Sequence, residues 1–292
     1  MKPKPPPEAH RAALLRALAA GLERTRPEPA AWLRSHAEQF TLVSWTTLFY
    51  DFHRDIAADL PGLERLLDEP EPSRDERREI DSLSRRAMRL WHVFGDSFPL
   101  LTPVLASPEL RSTLEDVRRY LENADGVGAR IRAMLERALV DAWDAGERVL
   151  LIGHSLGSVI AYDCLWELSR ERHNDGRIDL FVTLGSPLAT RFIRRALKGT
   201  DRAGAARYPD NIERWENFSA RGEMVALHAR LAPFFGQMVE VGAVASIVDH
   251  PALYNRFPGA KGIDVHKCYA YLANPEVAGR IGEWLERGTA QA

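Results

Sequence analysis

The run Gly153-His154-Ser155-Leu156-Gly157 holds the residue types and spacing in this 292-residue chain that carry the most chemistry. Where an apolar strand turns sharply into a helix at a Gly-x-Ser-x-Gly run, the serine sits at the tip of the turn in a strained backbone conformation. The glycines are steric: a side chain at 153 or 157 would collide with the neighbouring strand or helix. The residues before the run, 149–152 (Val-Leu-Leu-Ile), read as a fully apolar strand. Val159, Ile160 and Leu165 after it read as the apolar face of a helix. Ser155 is therefore a candidate nucleophile for a carbonyl carbon. The N–H of Leu156, at the start of that helix, is a candidate donor to the oxyanion that would form.

A serine hydroxyl is a weak nucleophile near neutral pH, so it needs a histidine to take its proton and an acid to orient that histidine. At turns of this kind the partners come in the order serine, acid, histidine. The histidines after Ser155 are His173, His228, His250 and His266. His173 lies in a polar stretch (Arg-His-Asn-Asp-Gly) and reads as a surface residue, and His228 falls in a predicted helix. His266 lies in a glycine-containing loop just before the last helix and is the candidate base, with His250 as the alternative. Glu223, just past a strand at 214–218, is the candidate acid, with Asp249 as the alternative. A glutamate can accept the imidazole N–H if its longer side chain is matched by a slightly more distant backbone. The competing role for Glu223 is that of an acid complementing a helix dipole.

These residues need elements to position them. After Gly146 the pattern alternates between short apolar strands and helices, the signature of βα units on a parallel sheet covered on both faces. Strands are predicted at 149–152, 180–184 and 214–218, and helices at 158–170 and 189–197. A terminal helix is predicted to start with Asn274 as N-cap and Pro275 at its first position, with Val277, Ile281, Trp284 and Leu285 on one face. Upstream, residues 1–8 read as a flexible proline-rich tail without chemistry, 9–24 as a helix and 40–45 (Phe-Thr-Leu-Val-Ser-Trp) as a first strand. Residues 51–144 read as mostly helical, with buried stripes through Val117 and Leu121 and through Ile131, Leu135, Ala138 and Leu139. Within them, 91–105, with Trp91, Phe94, Phe98, Leu100 and Leu101, is apolar enough to cover a pocket or to pack as core.

Composition narrows the class. With 45% hydrophobic and 27% charged residues, the chain is that of an ordinary globular protein, expected to form one domain over 1–292. A net charge of -2 argues against a general polyanion binder, so no nucleic-acid partner is expected. Cys164 and Cys268 have neither CxxC spacing nor a paired histidine cluster, which predicts no disulfide framework, no metal site and a reducing compartment. No apolar run reaches the length needed to span a bilayer, and no h-region succeeds the charged N-terminus, so a cytoplasmic location without integral membrane association is expected. No cofactor is expected, and the oligomeric state is not legible.

Four stretches, 149–163, 181–188, 214–226 and 266–275, together resemble a bacterial group of lipase-like α/β-hydrolases, in the order expected there. The resemblance implies an α/β-hydrolase-like fold: a mostly parallel sheet flanked by helices, with a helical insertion before the nucleophile strand. It also implies a triad of Ser155, His266 and Glu223, although the acid position in such proteins is usually aspartate. Gly185 and Ser186 would line the cleft, the glycine permitting a close turn and the serine capping the residues after it. Such relatives begin with a strand ending in His-Gly, whose loop gives the second oxyanion donor, and none precedes Ser155 here. An upstream start, a lost donor or a substitute loop would each account for this. The activity implied is that of an esterase or lipase-like acyl hydrolase on a small ester or lipid-like substrate, through an acyl-enzyme. The alternatives are an acyltransferase using the same intermediate and a catalytically silent binding module.

Overall fold

The computed structural model describes residues 3–69, 71–82, 85, 108–223, 225–226, 228–259 and 262–289. Their contacts gather into two units. The first comprises the described residues within Arg86–Ser219 and Glu223–Ala252, the second those within Pro3–Arg85, Ala220–Gly222 and Leu253–Ala292.

Short apolar runs after Gly146 become a four-stranded sheet in the order β1 (Leu150–His154), β2 (Leu180–Leu184), β3 (Arg214–Ala220), β4 (Ser246–Leu253). Leu150 lies opposite Leu180 and Phe181 opposite Trp215, both pairs of strands parallel. At the start of β4 the Ala245 N–H donates to Glu213 C=O at 2.9 Å, and at its end the Arg221 N–H donates to Leu253 C=O at 2.8 Å. Both partners advance together along the chain, so β3 and β4 also run the same way. All five residues of β2 are buried, as a central parallel strand covered on both faces requires. The architecture is α/β, a parallel sheet flanked by helices, as expected for an α/β-hydrolase-like chain.

In the first unit, α6 (Val127–Asp144) packs against α7 (Leu156–Trp166), with Ile131, Leu135 and Leu139 of α6 buried. Helix α5 (Pro108–Leu121) packs on α6, and Val117 is buried on its inner face. Helix α7 is apolar nearly all round and ends in a π-helical turn, Glu167–Glu171. The predicted helix at 189–197 is α8, Arg191–Ala196.

In the second unit, α1 (Pro7–Thr25) buries Leu14, Leu18 and Leu22 and packs on α2 (Pro27–Ser35), α11 (Cys268–Ala273) and α12 (Pro275–Thr289). Asn274 caps α12 as predicted: its Oδ1 accepts the Glu276 N–H at 3.0 Å, and Val277 and Ile281 are buried. Helix α3 (Leu60–Asp68) packs on β5 (Phe257–Gly259), which pairs antiparallel with β6 (Gly262–Asp264). Helix α4 (Arg74–Ile80) opens with a capping box between Ser73 and Glu76.

Three expectations need correction or fall outside the structure. Residues 40–45 form no strand; they are irregular and lead into a 3-10 turn, Trp45–Leu48. A lone β-rich run needs a partner strand for its backbone groups, and no described strand pairs with it here; at its start the Phe40 carbonyl accepts from Arg11 Nε at 2.6 Å. The N-terminal stretch is not loose from residue 3 onward, because Pro5 is buried, helix α1 begins at Pro7, and Lys4 C=O accepts the Arg54 N–H at 3.1 Å. The apolar segment at 91–105 lies outside the described residues. No helix among the described residues is long and apolar enough to cross a membrane.

The α1 contact is close enough to test. A Cβ at Gly21 would lie 2.7 Å from Leu272 O and 2.9 Å from Ala278 Cβ. Alanine gains about 1 kcal/mol of helix propensity over glycine, whereas overpacking costs about 1–3 kcal/mol. Gly21→Ala is therefore expected to lower the midpoint of urea unfolding, and a rise would show that the interface relaxes freely.

Candidate active site

Ser155 joins β1 to α7 with φ 53° and ψ −129°, one of the positive-φ non-glycine residues among those described. Such a conformation costs about 1–3 kcal/mol and persists only when its surroundings hold it. Here they do so from three sides. The Ser155 N–H donates to Leu184 C=O, at the end of β2, at 3.0 Å. Its carbonyl accepts the Ser158 N–H at 3.0 Å and the Ser158 hydroxyl at 2.6 Å. A Cβ at Gly153 would come 2.7 Å from Ser158 Cα and 3.0 Å from Ser158 N, so strand and helix backbones touch where the glycine stands. The steric expectation for Gly153 holds.

Leu156 is the first residue of α7, and the first N–H groups of any helix have no acceptor within it. The turn thus sets a serine hydroxyl beside a backbone donor at the positive end of a helix dipole, which can hold a nucleophile next to a developing oxyanion. Ser155 itself is only 4% exposed.

A second layer of polar groups stitches the turn to the neighbouring strand end. Ser158 Oγ lies 2.7 Å from Ser186 Oγ, which also accepts the Leu188 N–H at 3.3 Å, in keeping with the capping role expected of it. Gly185, at φ 54°, donates its N–H to Phe218 C=O at 2.9 Å, so the end of β2 turns sharply while bonded to β3. Farther along α7, the buried Asp163 accepts the Lys198 N–H at 2.8 Å through Oδ1 and the Tyr120 hydroxyl at 2.9 Å through Oδ2. Burial pushes its carboxyl up to about 6 despite those bonds. Burial acts the same way on Glu167, but Arg132 Nε at 2.7 Å and Lys198 Nζ at 2.8 Å outweigh it and hold that carboxyl below its ordinary value.

The candidate acids and bases each have partners in the structure. Asp249 Oδ1 accepts from Asn217 Nδ2 at 2.8 Å and from the Leu231 N–H at 2.7 Å, and Oδ2 accepts the Ala232 N–H at 2.9 Å. That carboxylate anchors the chain entering α9 (Ala232–Phe235) and extends a chain of bonds through Asn217 and Thr183 to Trp215 Nε1. His250, on the other face of β4, stacks on Phe218 at 4.3 Å, with Nε2 3.0 Å from Glu216 Oε2. Both alternatives are thus committed to partners of their own.

Glu223, in the same unit as Ser155 and Leu156, is 1% exposed, and its Oε1 accepts the Val225 N–H at 3.0 Å. His266 belongs to the second unit and is half-buried. Its backbone is fixed from three directions. Asp264 Oδ1 accepts the His266 N–H at 2.9 Å, while the fully buried Asn255 donates from Nδ2 to the carbonyls on either side, Val265 O at 2.8 Å and Lys267 O at 3.3 Å. His173 is exposed, as expected. His228 is not helical: it lies in a bend, with its ring 4.9 Å from Phe234. Just beyond it, the N–H groups of Leu231 and Ala232 are held by Asp249 at the start of α9.

Sequence reasoning missed Ser158, Asp163, Asn217 and Asn255. A lone acid inside the apolar run of α7 was a legible signal for Asp163, because an unpaired buried carboxylate is costly. Ser158 bonds locally to the Ser155 carbonyl but also to Ser186 on another segment, and the partners of Asn217 and Asn255 lie far along the chain.

The sequence model of the lecithin:cholesterol acyltransferase family matches residues 114–202. The match takes in β1, Ser155, α7 and β2 and covers less than half of the 292-residue chain. Over that segment the chain is similar to a lipase and acyltransferase family of α/β-hydrolase type. No solved structure matches the chain.

The Asp163 geometry makes a pH prediction. A carboxyl raised from 3.8 to about 6 in the folded state keeps a proton there that the unfolded chain releases. Its ionisation thus subtracts from stability as pH rises from about 4 to about 6, a loss on the order of 3 kcal/mol that persists above that range. Asp163→Asn, which removes the titration, should become more stable relative to the parent across that interval. Denaturant unfolding of both at about pH 4 and about pH 7.5 measures the difference; equal gaps at the two pH values would remove Asp163 as the cause.

Proposed function

We propose that this chain is a serine acyl-ester enzyme acting on a lipid-like or other small ester. Ser155 Oγ attacks the ester carbonyl while His266 takes its proton. Glu223 accepts the imidazole N–H, and the Leu156 N–H donates to the oxyanion. His266 then returns the proton to the departing alkoxide, so that an alcohol leaves and an acyl-Ser155 ester remains. An acceptor hydroxyl, activated by the same imidazole, releases the acyl group.

The observation that carries this reading is the backbone of Ser155, held at positive φ between β1 and α7 by the Gly153–Ser158 contact. Strain at a non-glycine residue is kept where a function needs it. Further support comes from the chain order Ser155, Glu223, His266. The free Cys164 and Cys268 support a reducing, cytoplasmic location.

The family match favours a second reading of the last step, in which an alcohol rather than water accepts the acyl group. The two readings share every residue named above and differ only in which hydroxyl reaches the intermediate.

A fluorophosphonate probe is expected to label the protein at Ser155, and Ser155→Ala to abolish labelling while leaving the thermal melt unchanged. His266→Ala and Glu223→Gln should each lower turnover of a p-nitrophenyl ester by roughly 10³- to 10⁴-fold. Folded protein that neither labels nor turns over would overturn the enzyme reading in favour of a binding module. Adding a long-chain alcohol and measuring the ratio of new ester to free acid separates transfer from hydrolysis.

A further inference from the structure

In the second unit, just before α3, Asp59 is 4% exposed, and its carboxylate is shared by two cations. Arg54 reaches it with both terminal nitrogens, Nη1 at 3.0 Å, and Lys267 Nζ reaches it at 2.7 Å. A third cation, Lys4, stands beside them. Its carbonyl accepts the Arg54 N–H, and its ammonium, which makes no ion pair among the described residues, is repelled by Lys267 and Arg54 and attracted by Asp59. Lys267 also lies over the rings of Phe257, at 5.0 Å, and Tyr269, at 5.3 Å. Tyr269 is 1% exposed, and its hydroxyl lies next to Asp59 without a well-formed hydrogen bond.

Three basic side chains, all half-buried, thus gather around one buried carboxylate, an excess of positive charge that a bound anion would offset. Its effect on neighbours is visible. Burial, and then repulsion by Lys4 and Lys267, drive His10 down to about 3, so its ring stays neutral. Burial first and Lys267 second depress the Lys4 ammonium as well. The Lys4 ammonium and the Tyr269 phenol, both beside Asp59, add donors beyond the Arg54 and Lys267 bonds that this carboxylate already accepts.

We propose that Lys4, Arg54, Lys267 and the Tyr269 hydroxyl form a binding site for a phosphate group, free or carried as an ester. A phosphate monoester carries about −1.5 to −2 charge near neutral pH and several acceptor oxygens, which matches both the charge excess and the donor set. The site is independent of the chemistry proposed for Ser155, because none of its residues belongs to that machinery.

The test is thermal unfolding of the full chain in inorganic phosphate, in glycerol 3-phosphate and in chloride at matched ionic strength. Either phosphate should raise the midpoint saturably by a few degrees over chloride. The tighter of the two identifies the free or the esterified form. Lys4→Met should be at least as stable as the parent in chloride, since one repelling charge is gone, and should bind phosphate at least tenfold more weakly. Tyr269→Phe, which removes only the hydroxyl, should weaken binding severalfold. No phosphate-specific shift in the parent, or an undiminished one in Lys4→Met, would overturn the proposal. Loss of ester turnover in Ser155→Ala with the phosphate shift intact would show that the two sites stand or fall separately.

Discussion

The contact between Gly153 and the backbone of Ser158 is the constraint on which the rest of the site depends. Strand β1 and helix α7 approach so closely that no Cβ fits at 153, and the connection between them must be made in one residue. That residue is Ser155, and the only backbone path available to it has positive φ. The strain is sustained because the Ser155 N–H completes the β1–β2 ladder and its carbonyl is taken twice by Ser158. A few hydrogen bonds of about 1 kcal/mol each are enough to offset a conformational cost of similar size.

Polar groups behind the turn obey a consistent rule: each buried charge is met on several sides. Asp249 takes three N–H donors, Asp163 two donors, and Glu167 two cations, and each bond ties elements distant in sequence. In the low dielectric of an interior such groups fix geometry, because breaking one bond leaves a charge exposed to apolar surroundings. The Asp59 cluster departs from this rule in having donors to spare, and this is why it reads as a site rather than as scaffolding.

Much of the first unit was legible in the sequence. Strand β2 is found at the residues predicted and β1 within two, because unbroken aliphatic runs bounded by polar turns can pack in few ways other than as buried parallel strands. The cap at Asn274 was legible for the same local reason, an acceptor side chain ahead of a proline-initiated helix. The strand expected at 40–45 failed because β propensity reports only a fit to a half-buried pleated surface, and no neighbouring strand offers one. His228, expected in a helix, lies in a bend, and Asp249, eighteen residues from Leu231, holds the N–H groups just beyond it, a partner that local periodicity does not report.

The sequence by itself determined the candidate nucleophile, its backbone donor and the α/β class, since all three arise from spacing along a single strand, turn and helix. Tertiary structure alone supplies the partners of the candidate acids and histidines. Asp249 and His250 were credible by type and chain position, and only the distances to Asn217, Leu231, Ala232, Glu216 and Phe218 show that they are engaged. The reason is physical: helix and strand signals repeat every few residues, whereas the partner of a buried charge is set by where the folded chain returns, and no local pattern encodes that.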